Sequence, residues 1–405
     1  MYTITIRRGR EDILRKHNSK VYSGAIAAIE PVYSGPSLAR VLDADGRFIA
    51  WGSYDEESHT VLTLLSWREE VVPDDGWLEA MVANAVDNRK HLIDERTNAV
   101  RLIHGDADFI PGLAADLYGD EIRILISSRF AHRHLETVVK ALFNCTKAQW
   151  ISSKVDALYA PSEHLKKEER NFSRGGEEKG RREGNTAFLE DGILYEITSG
   201  ISQKSGFYLD QRNNRHIVEG YAAGRRCLDA CSFTGAFTLH LLRGGAESVL
   251  ACDASESVLR HLLYQVNINE DRGLIPAGSR SRVAIRKDDV FSLVRQIEED
   301  EFDLIVLDPP KLAKKRDERD GAMRGYKDLN LWAMRKIRDG GIVAAFSCSG
   351  AISRQDFHTA VSYAAADAHV DLQILEELSA GPDHPVRASM SETAYLKGLV
   401  YRVVK

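Results

Sequence analysis

Five short clusters in the second half of this chain have the residue types and spacing to do chemistry. Each follows an apolar run of strand length. Asp229 lies in the run CLDA, and the turn Cys231-Ser232-Phe233-Thr234-Gly235 follows it, opening onto AFTLHLL. Asp253 ends the next apolar run, SVLAC, 24 residues after Asp229. A carboxylate at that place can accept both hydroxyls of a ribose. Lys287-Asp288-Asp289-Val290 comes third. Asp289 there could take an adenine amino group, or simply cap a helix. Asp308-Pro309-Pro310-Lys311 follows LIVL, so two prolines stiffen the backbone after an acid. Cys348-Ser349-Gly350 follows IVAAFS. Its thiol could be a nucleophile, although a lone cysteine is more often inert packing.

Together the first two clusters imply a cofactor that contains a nucleoside. A dinucleotide site wants G-x-G-x-x-G, because backbone must approach a pyrophosphate closely. Here Ser232 and Thr234 stand where bare glycine would help, and only Gly235 is glycine. S-adenosylmethionine (SAM) needs fewer glycines. It has an adenosine, a ribose diol and a charged amino-acid tail that suits Asp229.

The elements that position these clusters are legible as strand–helix alternation from about residue 186. Candidate strands are 226–230, 247–252, 282–287, 302–307, 341–347, 370–377 and 396–404, with helices between most of them. That pattern predicts a parallel sheet with helices on both faces and ligands at its carboxyl edge. FLEDGILYEITS adds a hairpin around Asp191-Gly192.

Upstream the pattern differs. Residues 1–72 read as a small β-rich unit: TITIRR, AIAAIEP, RVLDADGRFIAWGSY and TVLTLLSW are short strands between Gly, Pro and Asp turns. VYSGAIAAIE and GRFIAWGSYDEES resemble a PUA domain, a pseudobarrel of RNA-modifying enzymes. Arg7, Arg8, Arg10, Arg15 and Lys16 are its available phosphate contacts, or an ordinary solvated surface. Residues 73–185 read as an α/β connector, with helices at about 76–100 and 132–144 and strands in AVRLIHG, DEIRILISS and QWISSKVD. Its loop DFIPGLAADLYGD has a structural or substrate-orienting role. The mixed-charge stretch 163–183 predicts a solvated hairpin or flexible loop. Residues 186–405 form the third domain.

Hydrophobic residues make up 43% of the 405, enough for two or three cores. The net charge of −6 excludes a globally basic nucleic-acid binder, so any RNA-binding surface must be local. No apolar run approaches the ~20 residues that span a bilayer. The start MYTITIRRGRED has no signal-peptide core, and a soluble cytoplasmic protein is expected. Five cysteines without a C-x-x-C pair argue against a disulfide framework or a zinc site, and no metal is expected.

GFYLDQR (206–212), LDACSFTGAFTLHLLRGGAESVLACDAS (228–255), DPPKLAKK (308–315), FSCSG (346–350) and DHPVRASMSETAYLKGL (383–399) together resemble one family. It is the class I SAM-dependent methyltransferases of 23S ribosomal RNA that make 5-methylcytosine, the large-subunit methyltransferase I type. The resemblance covers essentially the whole chain, in the order PUA domain, connector, methyltransferase domain. It implies an α/β fold with a Rossmann-like methyltransferase sheet, preceded by a PUA-like β-barrel and a small connector. The family's sulfur-rich segment often holds a second cysteine; here Gly350 ends it and Cys348 remains.

What the resemblance implies for the site is specific. SAM is the cofactor, held by Phe207, Tyr208, Asp210, Gln211, Asp229, Ser232, Phe233, Thr234, Gly235, Asp253, Ala254, Ser255, Asp289, Val290 and Asp308. Cys348 is the nucleophile, with Cys231 the second candidate. Asp308 is the acid facing cytosine N3. Lys311 lowers the thiol pKa or binds phosphate. Arg212, Lys314, Lys315, Arg316 and Arg324 contact the large-subunit ribosomal RNA, within a basic run that also includes Arg319 and Lys327. His384, Pro385 and Arg387 belong to a family motif near the active site. Analogy with PUA-containing relatives leaves a homodimer open. Three alternatives stand beside this reading: methylation of another RNA base such as guanine, methylation of a small molecule, and a non-catalytic assembly factor that binds RNA.

Overall fold

A computed structural model describes the chain except residues 32–34, 181, 183, 199–205 and 314, and the side chain of Arg316. It divides into two compact units. The first comprises Met1–Phe188, Ile197–Phe207 and Asp383–Thr393; the second comprises Leu189–Glu196, Tyr208–Pro382 and Ala394–Lys405.

The first unit contains two six-stranded sheets. One is the PUA-like curled sheet, ordered Lys20–Val21, Leu62–Ser66, Phe48–Tyr54, Ser37–Leu42, Tyr2–Ile6, Ile26–Glu30. Tyr2, Ile4 and Ile6 alternate inward, as a period of two demands of a half-buried strand. Its guanidinium groups are partly committed: Arg8 pairs with Asp45 and Arg15 with Asp43. The other sheet runs from Ala99–His104 to the short strand Gly176–Glu178. Helices Asp75–Asp87 and Leu135–Cys145 bury Leu78, Val82, Leu135 and Val138 in the same core as its strands. The first helix stops well short of residue 100, because the polar run from Asn88 breaks the apolar spacing and the next strand begins at Ala99. Within the mixed-charge stretch, Glu169–Ser173 and Gly176–Glu178 pair antiparallel as a hairpin.

In the same unit, residues 383–393 tie three parts of the chain together. Asp383 Oδ2 accepts from the Arg101 amide at 3.0 Å, and Arg89, buried in a forked pair with Asp108, donates to the Asp383 carbonyl at 3.1 Å. The Arg387 guanidinium lies 4.4 Å from the Phe109 ring centroid and donates to the His17 carbonyl at 2.7 Å. Asp108 and Phe109 open the stretch DFIPGLAADLYGD, which is not the expected loop throughout: Leu113–Tyr118 within it is a strand paired antiparallel with both of its neighbours in the sheet.

In the second unit seven strands form one sheet: β1 (Arg226–Ala230), β2 (Ser248–Asp253), β3 (Val283–Lys287), β4 (Leu304–Leu307), β5 (Ile342–Ser347), β6 (Asp371–Ser379) and β7 (Lys397–Val404). Their order is β3-β2-β1-β4-β5-β7-β6. The helices are α1 (Arg212–Glu219), α2 (Ala236–Arg243), α3 (Glu256–Asp271), α4 (Val290–Gln296), α5 (Arg319–Lys336) and α6 (Arg354–Ala368). Helices α4, α5 and α6 share one apolar core with the central strands, through Leu293, Tyr326, Met334 and Phe357 among others. All seven strands fall within two residues of their expected bounds. The sheet is not wholly parallel: β7 runs antiparallel to both β5 and β6. A parallel return would need a crossover element, and the link between β6 and β7 has no α-helix. The Asp191-Gly192 turn has positive φ at both residues, 51° and 80°, as a two-residue hairpin requires.

Candidate active site

Strand order reverses between β1 and β4, and crevices at such points take ligands. The pairing register brings the clusters level there. Ala230 stands opposite Cys252 on one side and Leu307 on the other, and Leu307 opposite Ala345. The residues beyond these strand ends are the Cys231–Gly235 turn, Asp308 and, slightly further along, Cys348. Neighbouring strands lie about 4.8 Å apart, so these loops must share one crevice.

The turn is tightly wound. Cys231, Phe233 and Gly235 all have positive φ, at 70°, 47° and 87°. For Cys231 and Phe233 this region is costly, which marks a backbone held by its surroundings. The Ser232 amide donates to the Cys252 carbonyl at 2.7 Å, and the Phe233 amide donates to Asp253 Oδ2 at 3.2 Å. Asp253 Oδ1 accepts from the Ser255 amide at 2.9 Å. Ala254 is exposed and Ser255 half-buried at the start of α3.

Four carboxylates converge on the crevice. Asp229 is buried, and Thr238 Oγ1 donates to its Oδ2 at 2.7 Å. Burial pushes the Asp229 carboxyl up to about 6. Asp308 is half-buried and bonded to the Gln211 side chain; burial, then the charge of Asp210, pushes it up to about 7. Asp210 Oδ2 accepts from the Tyr395 hydroxyl at 2.5 Å. Among the described residues, none of Asp210, Asp229, Asp253 and Asp308 forms an ion pair with Lys or Arg. Asp210 Oδ1, Asp229 Oδ1 and Ser232 Oγ are buried without a hydrogen-bond partner. Uncompensated acids and orphaned acceptors are costly unless a ligand completes them. A cationic ligand with hydroxyl and amine donors fits, and SAM is one.

An aromatic wall adjoins the acids. The Tyr208 and Phe233 rings meet edge to face at 5.3 Å. Burial raises the Tyr208 phenol, and the charges of Asp308 and Cys348 raise it further. Arg215 fixes the segment, donating to the Tyr208 carbonyl at 3.0 Å and pairing with the fully buried Glu190 at 2.5 Å. Phe207 packs in the first unit, 5.1 Å from the Phe188 ring.

Several expected residues sit differently from the way their neighbours in sequence suggest. Asp289 is the exposed N-cap of α4, accepting from the Ser292 amide at 3.1 Å, and Val290 is buried as the first residue of that helix. Arg212 is buried at the start of α1, its charge facing Glu190. Lys311 is exposed, 5.9 Å from the Tyr395 ring. Lys315 and Arg324 are exposed, whereas Arg319 pairs with Asp356 and Lys327 with Asp367. Lys314 lies outside the described residues, as does the side chain of Arg316. His384 and Arg387 are buried in the first unit. Cys231 is half-buried, and burial followed by the charge of Asp308 raises its thiol well above the usual range. Cys348 is half-buried.

One residue beside Cys348 was not singled out from sequence. Lys397 is 3% exposed, and burial pushes its ammonium down to about 8, with the charge of Cys348 opposing that shift. The signal was a lysine opening an apolar strand, inside YLKGL.

Residues 113–402 match a sequence family described as S-adenosylmethionine-dependent methyltransferase, and residues 4–67 match a PUA-like domain. Among curated proteins, the chain is similar to ribosomal RNA large subunit methyltransferase I of Tolumonas auensis, 31% identical over 407 residues and 99% of each chain. It is similarly related to the protein of that name from Pseudoalteromonas translucida, 32% identical over 408 residues and 99% of each chain. Among solved structures, it shares its fold with the methyltransferase SMU.776 complexed with SAH, at a TM-score of 0.81 and 18% identity over 99% of this chain and 100% of that one.

Proposed function

This chain belongs to the S-adenosylmethionine-dependent methyltransferases, in the group of ribosomal RNA large subunit methyltransferase I, and we propose that it methylates carbon 5 of a cytosine in large-subunit ribosomal RNA through an adduct to Cys348. The observation that carries the reading is the strand register that brings Asp308 and Cys348 just past the ends of two adjacent parallel strands.

Carbon 5 of cytosine is too poor a nucleophile to take a methyl group unaided. Addition of the Cys348 thiolate to carbon 6 makes carbon 5 an enamine carbon. Asp308, held protonated near neutrality, donates to ring N3 and draws electrons from carbon 6. When bound, SAM supplies an electrophilic methyl group on its sulfonium. Asp210, Asp229, Ser232 and Asp253 would hold it, with Tyr208 and Phe233 as the apolar wall. Once water has taken the carbon-5 proton, the C–S bond breaks, the Cys348 sulfur leaves carbon 6 as thiolate and the aromatic ring is restored. Cys231 is the weaker candidate because its buried thiol resists ionisation. In this reading residues 1–72 contact RNA, 73–185 connect, and 186–405 carry the chemistry. Lys311, Lys315 and Arg324 are exposed cations that follow Asp308 in sequence and can grip phosphates.

The test uses tritiated SAM with unmodified large-subunit rRNA, comparing wild type with Cys348→Ala and mapping the product base. The expected result is label on cytosine carbon 5 that disappears in the variant while SAM binding persists. Label on a ring or amino nitrogen, or transfer that survives the substitution, would sink the proposal.

A further inference from the structure

Lys397 opens β7 and stands opposite Ser347 in the pairing of β7 with β5, one residue before Cys348. Its Nζ donates to the carbonyls of Ser349 at 2.7 Å and Ile352 at 2.6 Å. The turn it grips is held from the other side as well. Ser349 is fully buried; its Oγ accepts from the Ala313 amide at 3.2 Å and lies 3.0 Å from the Tyr326 hydroxyl. The Asp308–Ala313 loop and the Cys348 turn are thus tied to each other and to β7.

The charge on Lys397 is the unusual part. No carboxylate forms an ion pair with it among the described residues, although its side chain is buried. A buried ammonium needs a counter-charge or it deprotonates. The charged and titratable groups acting on it are Cys348, Arg354, Lys311 and Asp356. Arg354 and Lys311 repel it. Asp356 is already engaged by Arg319 and by the Ser353 cap. Of the charges acting on Lys397, that of Cys348 favours its ammonium most, and the Lys397 Nζ is bonded to the carbonyl of the residue next to that thiol.

We infer that Lys397 is a positioning residue that locks the Cys348 turn and supplies the counter-charge of the Cys348 thiolate, an inference that rests on Cys348 being the nucleophile. The ammonium keeps its own proton, and the thiol proton goes to solvent before substrate arrives.

The experiment reads the thiol itself. The full chain is treated with iodoacetamide from pH 5.5 to 9.5, and the alkylation rate of the Cys348 peptide is followed by mass spectrometry in wild type, Lys397→Met and Lys397→Arg. An ordinary cysteine ionises at about 8.5. The expected wild-type midpoint lies at least about one unit lower, and removing a neighbouring cation raises it by about 1–3 units. At pH 7 that is a drop of about tenfold or more in rate for Lys397→Met, with Lys397→Arg retaining most of the wild-type behaviour. An ordinary midpoint in wild type overturns the inference whether or not the variants fold. So does a Lys397→Met profile that overlays wild type. Methyl transfer that survives Cys348→Ala defeats the nucleophile reading separately, because the alkylation midpoint is read without substrate.

Discussion

Replacing Gly235 by alanine tests whether the turn after β1 is as constrained as its geometry says. Gly235 has φ +87°, and a Cβ built there would meet Leu262 Cγ at 2.4 Å, Cδ1 at 3.0 Å and Cβ at 3.3 Å. Leu262 is fully buried in α3, so it has little room to withdraw. A left-handed backbone costs a non-glycine residue about 1–2 kcal/mol. Forcing a methyl group into a packed contact costs about 1–3 kcal/mol more. The sum is about 2–5 kcal/mol for Gly235→Ala. Gly224 is the matched control: φ is +65°, with nothing within 4 Å of the added carbon. Gly224→Ala should therefore lose only the backbone term, about 1 kcal/mol. Differential scanning calorimetry with and without SAH identifies the transition of the second unit as the one that ligand raises. For a unit of this size each kcal/mol is worth about 2–4 °C, so Gly235→Ala should melt several degrees below Gly224→Ala. It should also bind SAH more weakly, because the displaced turn carries Ser232. Equal melting of the two variants, or wild-type SAH affinity in Gly235→Ala, would refute the reasoning.

Three further outcomes are expected. Asp308 has its carboxyl raised to about 7, so between about pH 4 and 7 the native state keeps a proton that the unfolded chain has lost, and stability falls as pH rises through that window. Asp308→Asn should clearly flatten that slope in a melting-temperature series from pH 5 to 8, leaving the contributions of Asp229 and Glu190, which have the same sign; parallel curves would count against it. The same variant should lose about 10²–10⁴-fold in methyl transfer. Cys231→Ala should keep methyl transfer within about threefold, since a thiol pushed up by burial is a poor nucleophile at neutral pH; loss of transfer there would move the nucleophile to Cys231. Arg215→Met leaves Glu190 buried and unpaired and should cost about 3–5 kcal/mol, read on the SAH-sensitive transition, with Glu190→Gln in the same chain restoring part. No recovery in the double variant would show that the pair is not the source of the loss.

The parts of the fold that were legible are those encoded within a few residues. Apolar runs ending in Asp229, Asp253 and Asp308 marked strand ends because a strand's side-chain period and its turn chemistry are local. The reversal of strand order then aligned those ends without further information. The antiparallel β7 was not legible, because strand direction depends on what the connecting chain does far from the sheet. Here the link between β6 and β7 contributes residues 383–393 to the other unit, where Asp383 and Arg387 are bonded to Arg101 and His17.

Within the site the same division holds. Asp229 and Ser232 could be read as candidates at the end of β1, Asp308 just after β4 and Cys348 just after β5. Asp289 reads equally as an adenine partner or a cap, and the helix that follows takes it as a cap. Arg212 reads as an RNA-facing cation, yet it is buried at the start of α1. Sequence by itself determined the cofactor class and the candidate loops at the strand ends, since local backbone chemistry builds those loops. Only the tertiary structure decided which charges go unpaired. Three acids with orphaned or raised carboxyls meet from three segments of chain, and Lys397 reaches the Cys348 turn from a strand 49 residues further on. Electrostatic partnership is set by distance in space and by desolvation, and neither is written in the spacing of residues along a chain.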